Sequence, residues 1–331
     1  MQKSKLKTLF IYRFLDKYSD ELHPLSTTDL IKMLAEYDIP CERKSIYADI
    51  EALCEIGCDI CSVTSPKRGF FMASRSFELP EVRLLIDAVM SAGFITPGKT
   101  KKLISKLESL VSVHQAEAMV SQVYCESQNK CDNEEIYYVI DSLHEAIMHK
   151  HKVKFVYKRR NIDKEKRKSY TEKIFRVSPY ALIWKDDHYY LVCNNEKYDN
   201  LMNLRLDRIR KVEILDEQSR PVCEVSEYTD HFDTADYSSK MFNMFSGETS
   251  PVRLLCKLDL REEMMDRFGS SIPLKAVDSD HFETTINAAV SDGFVSWLMQ
   301  YGSGVKVLEP QYLVERIKEK SLEILNNYDG D

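Results

Sequence analysis

Apolar residues recur at three- and four-residue steps through Leu6, Leu9, Phe10, Phe14 and Tyr18, a spacing that gathers them on one helical face ending near Ser19-Asp20-Glu21. A second helix is expected from Ser26, an N-cap with Asp29 three positions on, through Leu30, Ile31 and Leu34 to a stop at Pro40. A third runs from residue 43 to about 56. Its inward stripe is Ile46, Ile50, Leu53 and Cys54, which leaves Arg43, Lys44, Tyr47, Ala48 and Glu51 facing outward. After Gly57, residues 60–63 and 69–72 read as two short strands around a turn tipped by Pro66, Lys67 and Arg68.

Three helices followed by a basic-tipped hairpin make the winged helix-turn-helix plan, here assigned to residues 1–75. Residues 79 to about 124 are helical again with a break at Pro97-Gly98, so 76–133 is taken as a helical connector. Residues 134–150 form an amphipathic helix through Ile136, Ile140, Leu143 and Ile147, after which the period drops from 3.6 to 2. The β-rich runs 153–157, 174–184, 189–193 and 203–210 suggest a small antiparallel barrel within 134–220. Residues 221–248, with Met241-Phe-Asn-Met-Phe245, read as a linker. The stretch 249–331 alternates strand and helix in the manner of a ferredoxin-like α+β sandwich. The fold class is therefore α+β and multidomain.

With 331 residues, 44% hydrophobic and 30% charged, and only 10 Gly and 10 Pro, the chain is neither collagenous nor largely disordered. Charges such as Arg13 and Asp87 interrupt every long apolar run, so no membrane span is expected. Nine scattered cysteines fit reduced thiols and a cytoplasmic location. Cys54-x3-Cys58-x2-Cys61 has the spacing of an iron–sulfur motif, but its place at a helix end and turn reads as packing thiols, and no metal or other cofactor is expected.

A net charge of −7 gives no general support for nucleic-acid binding, so the distribution of charge decides. At the N-terminal half of the third helix, Arg43, Lys44, Ser45 and Tyr47 can reach base edges or phosphates, and Lys67 and Arg68 at the hairpin tip can grip flanking phosphate. Residues 1–75 carry eleven basic and eleven acidic side chains. One neutral module should bind weakly, which favours a dimer. Residues 150–173 hold eleven basic and three acidic residues, interleaved with Phe155, Tyr157 and Tyr170 on which bases can stack. Catalytic signals are thin: Gly302-Ser303-Gly304 does not meet the nucleophile-elbow pattern, and His144, His149 and His151 lack helical metal spacing. No enzyme emerges.

Glu42-Arg-Lys-Ser-Ile-Tyr-Ala-Asp-Ile-Glu-Ala-Leu53 with Gly57 and Arg68-Gly-Phe-Phe71 resembles the DeoR-type winged helix-turn-helix of bacterial regulators. Val177-Ser-Pro-Tyr-Ala-Leu-Ile-Trp184, Tyr189-Tyr-Leu-Val192 and Leu204-Arg-Leu-Asp-Arg-Ile209 resemble the signature segments of the WYL domain family. Tyr189 stands for the namesake tryptophan. Met241-Phe-Asn-Met-Phe-Ser-Gly247, Asp266-Arg-Phe-Gly269, Trp297 and Val305-Lys-Val-Leu-Glu-Pro310 are similar to the extension that follows such barrels. The resemblance implies an Sm/SH3-like barrel that senses a negatively charged ligand, a nucleotide or single-stranded nucleic acid. It also implies a homodimeric transcriptional regulator acting on double-stranded operator DNA. The alternative is an accessory protein of a CRISPR or phage-defence system that binds single strands through its barrel. The effector site is expected at Tyr157, Tyr190, Arg205 and Arg208, with Lys158 and Arg159 at its rim. Strand alternation favours Arg205 over Arg208 for the pocket, with Asp207 orienting the guanidinium.

Overall fold

The computed structural model describes residues 2–120, 130–161, 169–229 and 232–328, and the chain divides into two compact units, 1–134 and 135–331. The first unit opens with α1 (Gln2–Tyr18), α2 (Thr27–Ala35), α3 (Arg43–Glu55) and the antiparallel hairpin β1 (Ile60–Val63) and β2 (Gly69–Met72). Its core joins Ile11, Phe14, Leu15, Leu30, Leu34, Ile46, Ile50, Leu53 and Met72. Of the expected stripe on α1, Phe10, Phe14 and Tyr18 join the core, whereas Leu6 and Leu9 are exposed and Ile11 and Leu15 are buried in their place. Both sides of α1 carry apolar residues near its start, and only the tertiary partner selects the face.

Ser26 caps α2 as expected, its Oγ accepting from the Asp29 amide while Asp29 accepts from the Ser26 amide. Gly69 lies so close to Leu25 that a Cβ there would come within 2.6 Å of the Leu25 carbonyl oxygen. This approach lets Leu25 and Phe70 exchange backbone hydrogen bonds of 2.9 and 2.8 Å, tying the hairpin to the entry of α2. Cys54 and Cys61, expected to pack inside, are exposed and Cys58 is half-buried. The buried stripe on α3 closes at Leu53, and Cys54 falls past its edge. Among the described residues no group of three or more His, Cys, Asp or Glu side chains is placed to hold a metal. Helices α4 (Leu79–Ser91), α5 (Pro97–Glu108) and α6 (Val113–Val120) complete the unit. Pro97 begins α5 behind the Thr96 cap instead of merely breaking a helix.

The second unit starts with α7 (Ile136–Met148), whose buried face of Ile136, Val139, Leu143 and Ala146 covers a five-stranded antiparallel sheet. The sheet comprises β3 (His151–Asn161), β4 (Ser169–Lys185), β5 (His188–Asn194), β6 (Met202–Arg205) and β7 (Ile209–Gln218), in the order β6-β5-β4-β3-β7. β4 is long enough to pair with β3 through its first half and β5 through its second, with a bulge between Pro179 and Ala181 where it changes partner. Asp186 and Asp187, both at positive φ, make the two-residue turn into β5. The run 203–210, expected as one strand, is broken by a 3-10 turn at Leu206–Arg208, so strand alternation does not govern where Asp207 and Arg208 point.

Of residues 221–248, expected as a linker, the described ones, 221–229 and 232–248, form a packed strap. They contain α8 (Thr234–Lys240), and Tyr237, Met241 and Met244 share a buried cluster with Ala181, Ile183, Tyr190 and Val192 of the sheet. Lys185 donates to the carbonyls of Ser238 and Met241, and Arg267 donates to the same Met241 carbonyl at 2.8 Å. Burial, reinforced by Arg267, pushes the Lys185 amine down to about 8.

The chain then runs β8 (Glu248–Lys257), α9 (Arg261–Phe268), β9 (Leu274–Ala276), β10 (His281–Val290), α10 (Asp292–Met299), β11 (Val305–Glu309) and α11 (Gln311–Tyr328). This βαββαβ order forms an antiparallel sheet β11-β8-β10-β9 around Val252, Leu254, Phe282, Ile286 and Phe294. The chain is thus a mixed α+β protein with several antiparallel sheets. Among the described residues no helix is long and apolar enough to cross a membrane.

Candidate nucleic-acid interface and ligand site

In the first unit α3 presents Arg43, Lys44 and Tyr47 to solvent, while Ser45 is half-buried. Arg43 Nη2 donates to the Tyr47 hydroxyl at 3.4 Å, its guanidinium lying 6.0 Å from the ring centroid, and the same ring meets Phe70 edge-on at 5.6 Å. The arginine is therefore presented from a ring that rests on the hairpin. Ser45 is engaged from behind: Lys7 of α1 donates to its hydroxyl and pairs with Asp49 at 2.7 Å.

The two hairpin-tip cations differ. Arg68 is exposed with no ion pair among the described residues, whereas Lys67 pairs with Asp29 at 2.5 Å. Burial acts to raise the Asp29 carboxyl, but hydrogen bonds from Lys67 and Ser26 outweigh it and hold it at about 2. Because this lies below the value in the unfolded chain, the stabilisation is complete above about pH 4 and is lost as pH falls through 2. Asp29→Asn should destabilise the protein by about 1 kcal/mol near neutrality, and thermal unfolding followed down to acid pH should show that gap closing toward pH 2.

In the second unit three expected residues come together although 48 positions of sequence separate the first from the last. Tyr190 and Arg205 are direct cross-strand partners on β5 and β6, and the Arg205 backbone amide donates to the Tyr157 hydroxyl at 3.3 Å. Arg205 holds Asp207 through two bonds, Nε to Oδ1 at 3.0 Å and Nη2 to Oδ2 at 2.8 Å. Arg205 keeps a quarter of its side chain exposed, and Nη1 has no partner among the described residues. Tyr157 and Tyr190 are buried, and burial raises the Tyr190 phenol. Arg208 lies within electrostatic reach of Tyr190. At the rim, Arg159 sits 5.8 Å from the centre of the Tyr157 ring and Lys158 pairs with Glu172 at 2.8 Å. Of the expected basic loop, Lys164, Lys166, Arg167 and Lys168 lie outside the described residues.

Sequence reasoning missed His188. Its ring lies 6.2 Å from that of Tyr190, and burial, with Arg205 nearby, lowers its pKa. The signal was available, since a residue two positions before Tyr190 on a strand shares its face.

The matches to family models fall on this unit. Residues 138–214 match the family model of the WYL domain and residues 248–325 that of the WCX domain. The second unit thus carries a WYL-type domain followed by a WCX-type domain. Proteasome accessory factor B/C (PafBC) of Arthrobacter aurescens aligns as a solved structure with 98% of this chain and 49% of its own, at 14% identity and a TM-score of 0.29. The chain spans about half the length of that protein. The comparison with curated proteins gives no match.

Proposed function

We propose that the protein is a DNA-binding transcriptional regulator whose WYL domain senses a negatively charged ligand. The observation that carries this reading is the meeting of Tyr157, Tyr190 and Arg205 within the residues that match the WYL domain. The partly exposed Arg205 guanidinium, with Nη1 unused among the described residues, suits the phosphoryl group of a nucleotide as an anion contact, while Tyr157 and Tyr190, expected as stacking platforms, are buried and support the strand that carries it. In this reading residues 1–75 are a winged helix-turn-helix of DeoR type, the five-stranded sheet is an Sm/SH3-like barrel, and the βαββαβ domain is ferredoxin-like. Helix α3 enters the major groove, the hairpin grips phosphate, and two copies act together because one neutral module holds DNA weakly. No catalytic step, metal or cofactor belongs to this reading.

An effector switches such a regulator only if it prefers one arrangement of the DNA-binding modules, and the two affinities are then reciprocally linked. The test titrates a short labelled single-stranded oligonucleotide against wild type and Arg205→Ala, with folding checked by circular dichroism. A loss of about tenfold or more is expected, since a charge-assisted hydrogen bond contributes roughly 1.5–3 kcal/mol. Equal affinity in the two would remove Arg205 from the site.

A further inference from the structure

His188 is the first residue of β5 and shares a sheet face with Tyr190, whose cross-strand partner is Arg205. Its Nδ1 lies 3.0 Å from the carbonyl oxygen of Asp187. A carbonyl only accepts, so Nδ1 carries the hydrogen, and the neutral ring is left with a bare lone pair on Nε2. A phosphoryl oxygen that approaches Nε2 therefore meets an acceptor until the ring takes up a second proton. Several charges act on the ring. Arg205 from β6 opposes its protonation, whereas Asp207 from the 3-10 turn and Asp187 from the hairpin favour it. Lys185, its cross-strand partner, spends its hydrogen bonds on the carbonyls of Ser238 and Met241, and Asp186 adjoins it in the turn. Without ligand, burial and Arg205 prevail and the ring is held below its ordinary pKa of 6.5.

We propose that His188 is a further ligand-contacting side chain of the barrel site and that an anionic ligand binds with uptake of one proton on its Nε2. This rests on the reading of the barrel as an anion sensor and adds the form of the anion's recognition. A phosphate placed beside Arg205 reverses the balance at the ring: the negative charge favours the imidazolium, which then donates a charge-assisted hydrogen bond to it. The sign follows from linkage. The pKa of His188 is higher in the complex than in the free protein, so affinity rises as pH falls from the bound value to the free value, by at most about tenfold per pH unit.

The experiment measures dissociation constants for labelled oligothymidylate and for inorganic pyrophosphate between about pH 8 and about pH 5.5, using wild type, His188→Gln and Arg205→Ala. Wild type should bind about five- to tenfold more tightly at the acid end. His188→Gln presents a neutral amide donor whatever the pH, so it should keep binding and lose most of that slope, while Arg205→Ala should bind weakly throughout. Calorimetry in buffers of different ionisation heat should show proton uptake by wild type that the glutamine variant lacks. An unchanged slope and unchanged uptake in His188→Gln, with binding still dependent on Arg205, overturns the role of His188 and leaves the anion-sensor reading in place. Failure of wild type to bind either probe removes both.

Discussion

Replacing Arg43 and Lys44 together by alanine should abolish sequence-selective binding to the operator in a gel-shift series, at a cost of about 1–3 kcal/mol for each side chain that touches a base. The magnitude follows from how the two are held. Arg43 is presented from the Tyr47 ring, which itself rests on Phe70, so little of its freedom remains to be lost when a guanine edge takes its two donors. Tyr47→Phe keeps the ring and should keep most of the affinity, whereas Tyr47→Ala frees the arginine and should not. The hairpin gives a contrasting pattern. Arg68→Ala should weaken binding evenly across sequences and lower the salt slope by about one. Lys67→Ala also removes the Lys67–Asp29 pair and should therefore cost some stability as well. Unchanged duplex affinity in the Arg43/Lys44 double variant would exclude α3 as the recognition helix.

What was legible in the sequence was whatever depends on local periodicity and turn chemistry. The cap at Ser26, the end of α3 near Gly57, both strands of the hairpin and the Asp186-Asp187 turn all follow from rules that act within a few residues. The meeting of Tyr157, Tyr190 and Arg205 was reachable because neighbouring strands of one antiparallel sheet bring residues far apart in sequence side by side. What was not legible depends on non-local packing. Residues 221–248 carry polar residues at every turn and read as a linker, yet Tyr237, Met241 and Met244 are buried against the sheet. Leu9 and Ile11 are equally apolar, and only the position of α2 and α3 decides that Ile11 goes inside. The 3-10 turn at Leu206–Arg208 has no sequence marker as strong as proline or glycine, so strand alternation gives no sign of the break. Asp207 holds Arg205 through two bonds, and the turn, not strand alternation, brings the two side chains together.

The strap makes the second large prediction, at a position where one methyl group is enough. Gly293, buried in the first turn of α10, lies against the Phe242–Phe245 turn so closely that a Cβ would stand 2.4 Å from the Phe242 carbonyl oxygen and 2.9 Å from a Phe245 ring carbon. The ring could swing aside, but the backbone carbonyl cannot. Phe242 is itself packed among Phe294, Trp297 and the Arg267 guanidinium, at 4.7, 4.9 and 4.4 Å, and its turn is pinned by the Asn203 amide donating to the Met244 carbonyl at 3.0 Å. Gly293→Ala must therefore push the strap off α10 or distort α10 itself. Overpacking of this kind costs about 1–3 kcal/mol, and more where the obstacle is backbone. Gly98→Ala supplies the control: it sits in α5 with open space around its missing side chain, so the same chemical change should be neutral or stabilise by up to about 1 kcal/mol. Urea unfolding should lower the midpoint of Gly293→Ala and leave that of Gly98→Ala unchanged or raised. In Gly293→Ala the tryptophan fluorescence should also change, because Trp297 stands on the Phe242 ring that the new methyl group displaces. Equal midpoints for Gly293→Ala and wild type would mean that the strap is not held against α10, and the interlock of sheet, strap and C-terminal domain would lose its keystone.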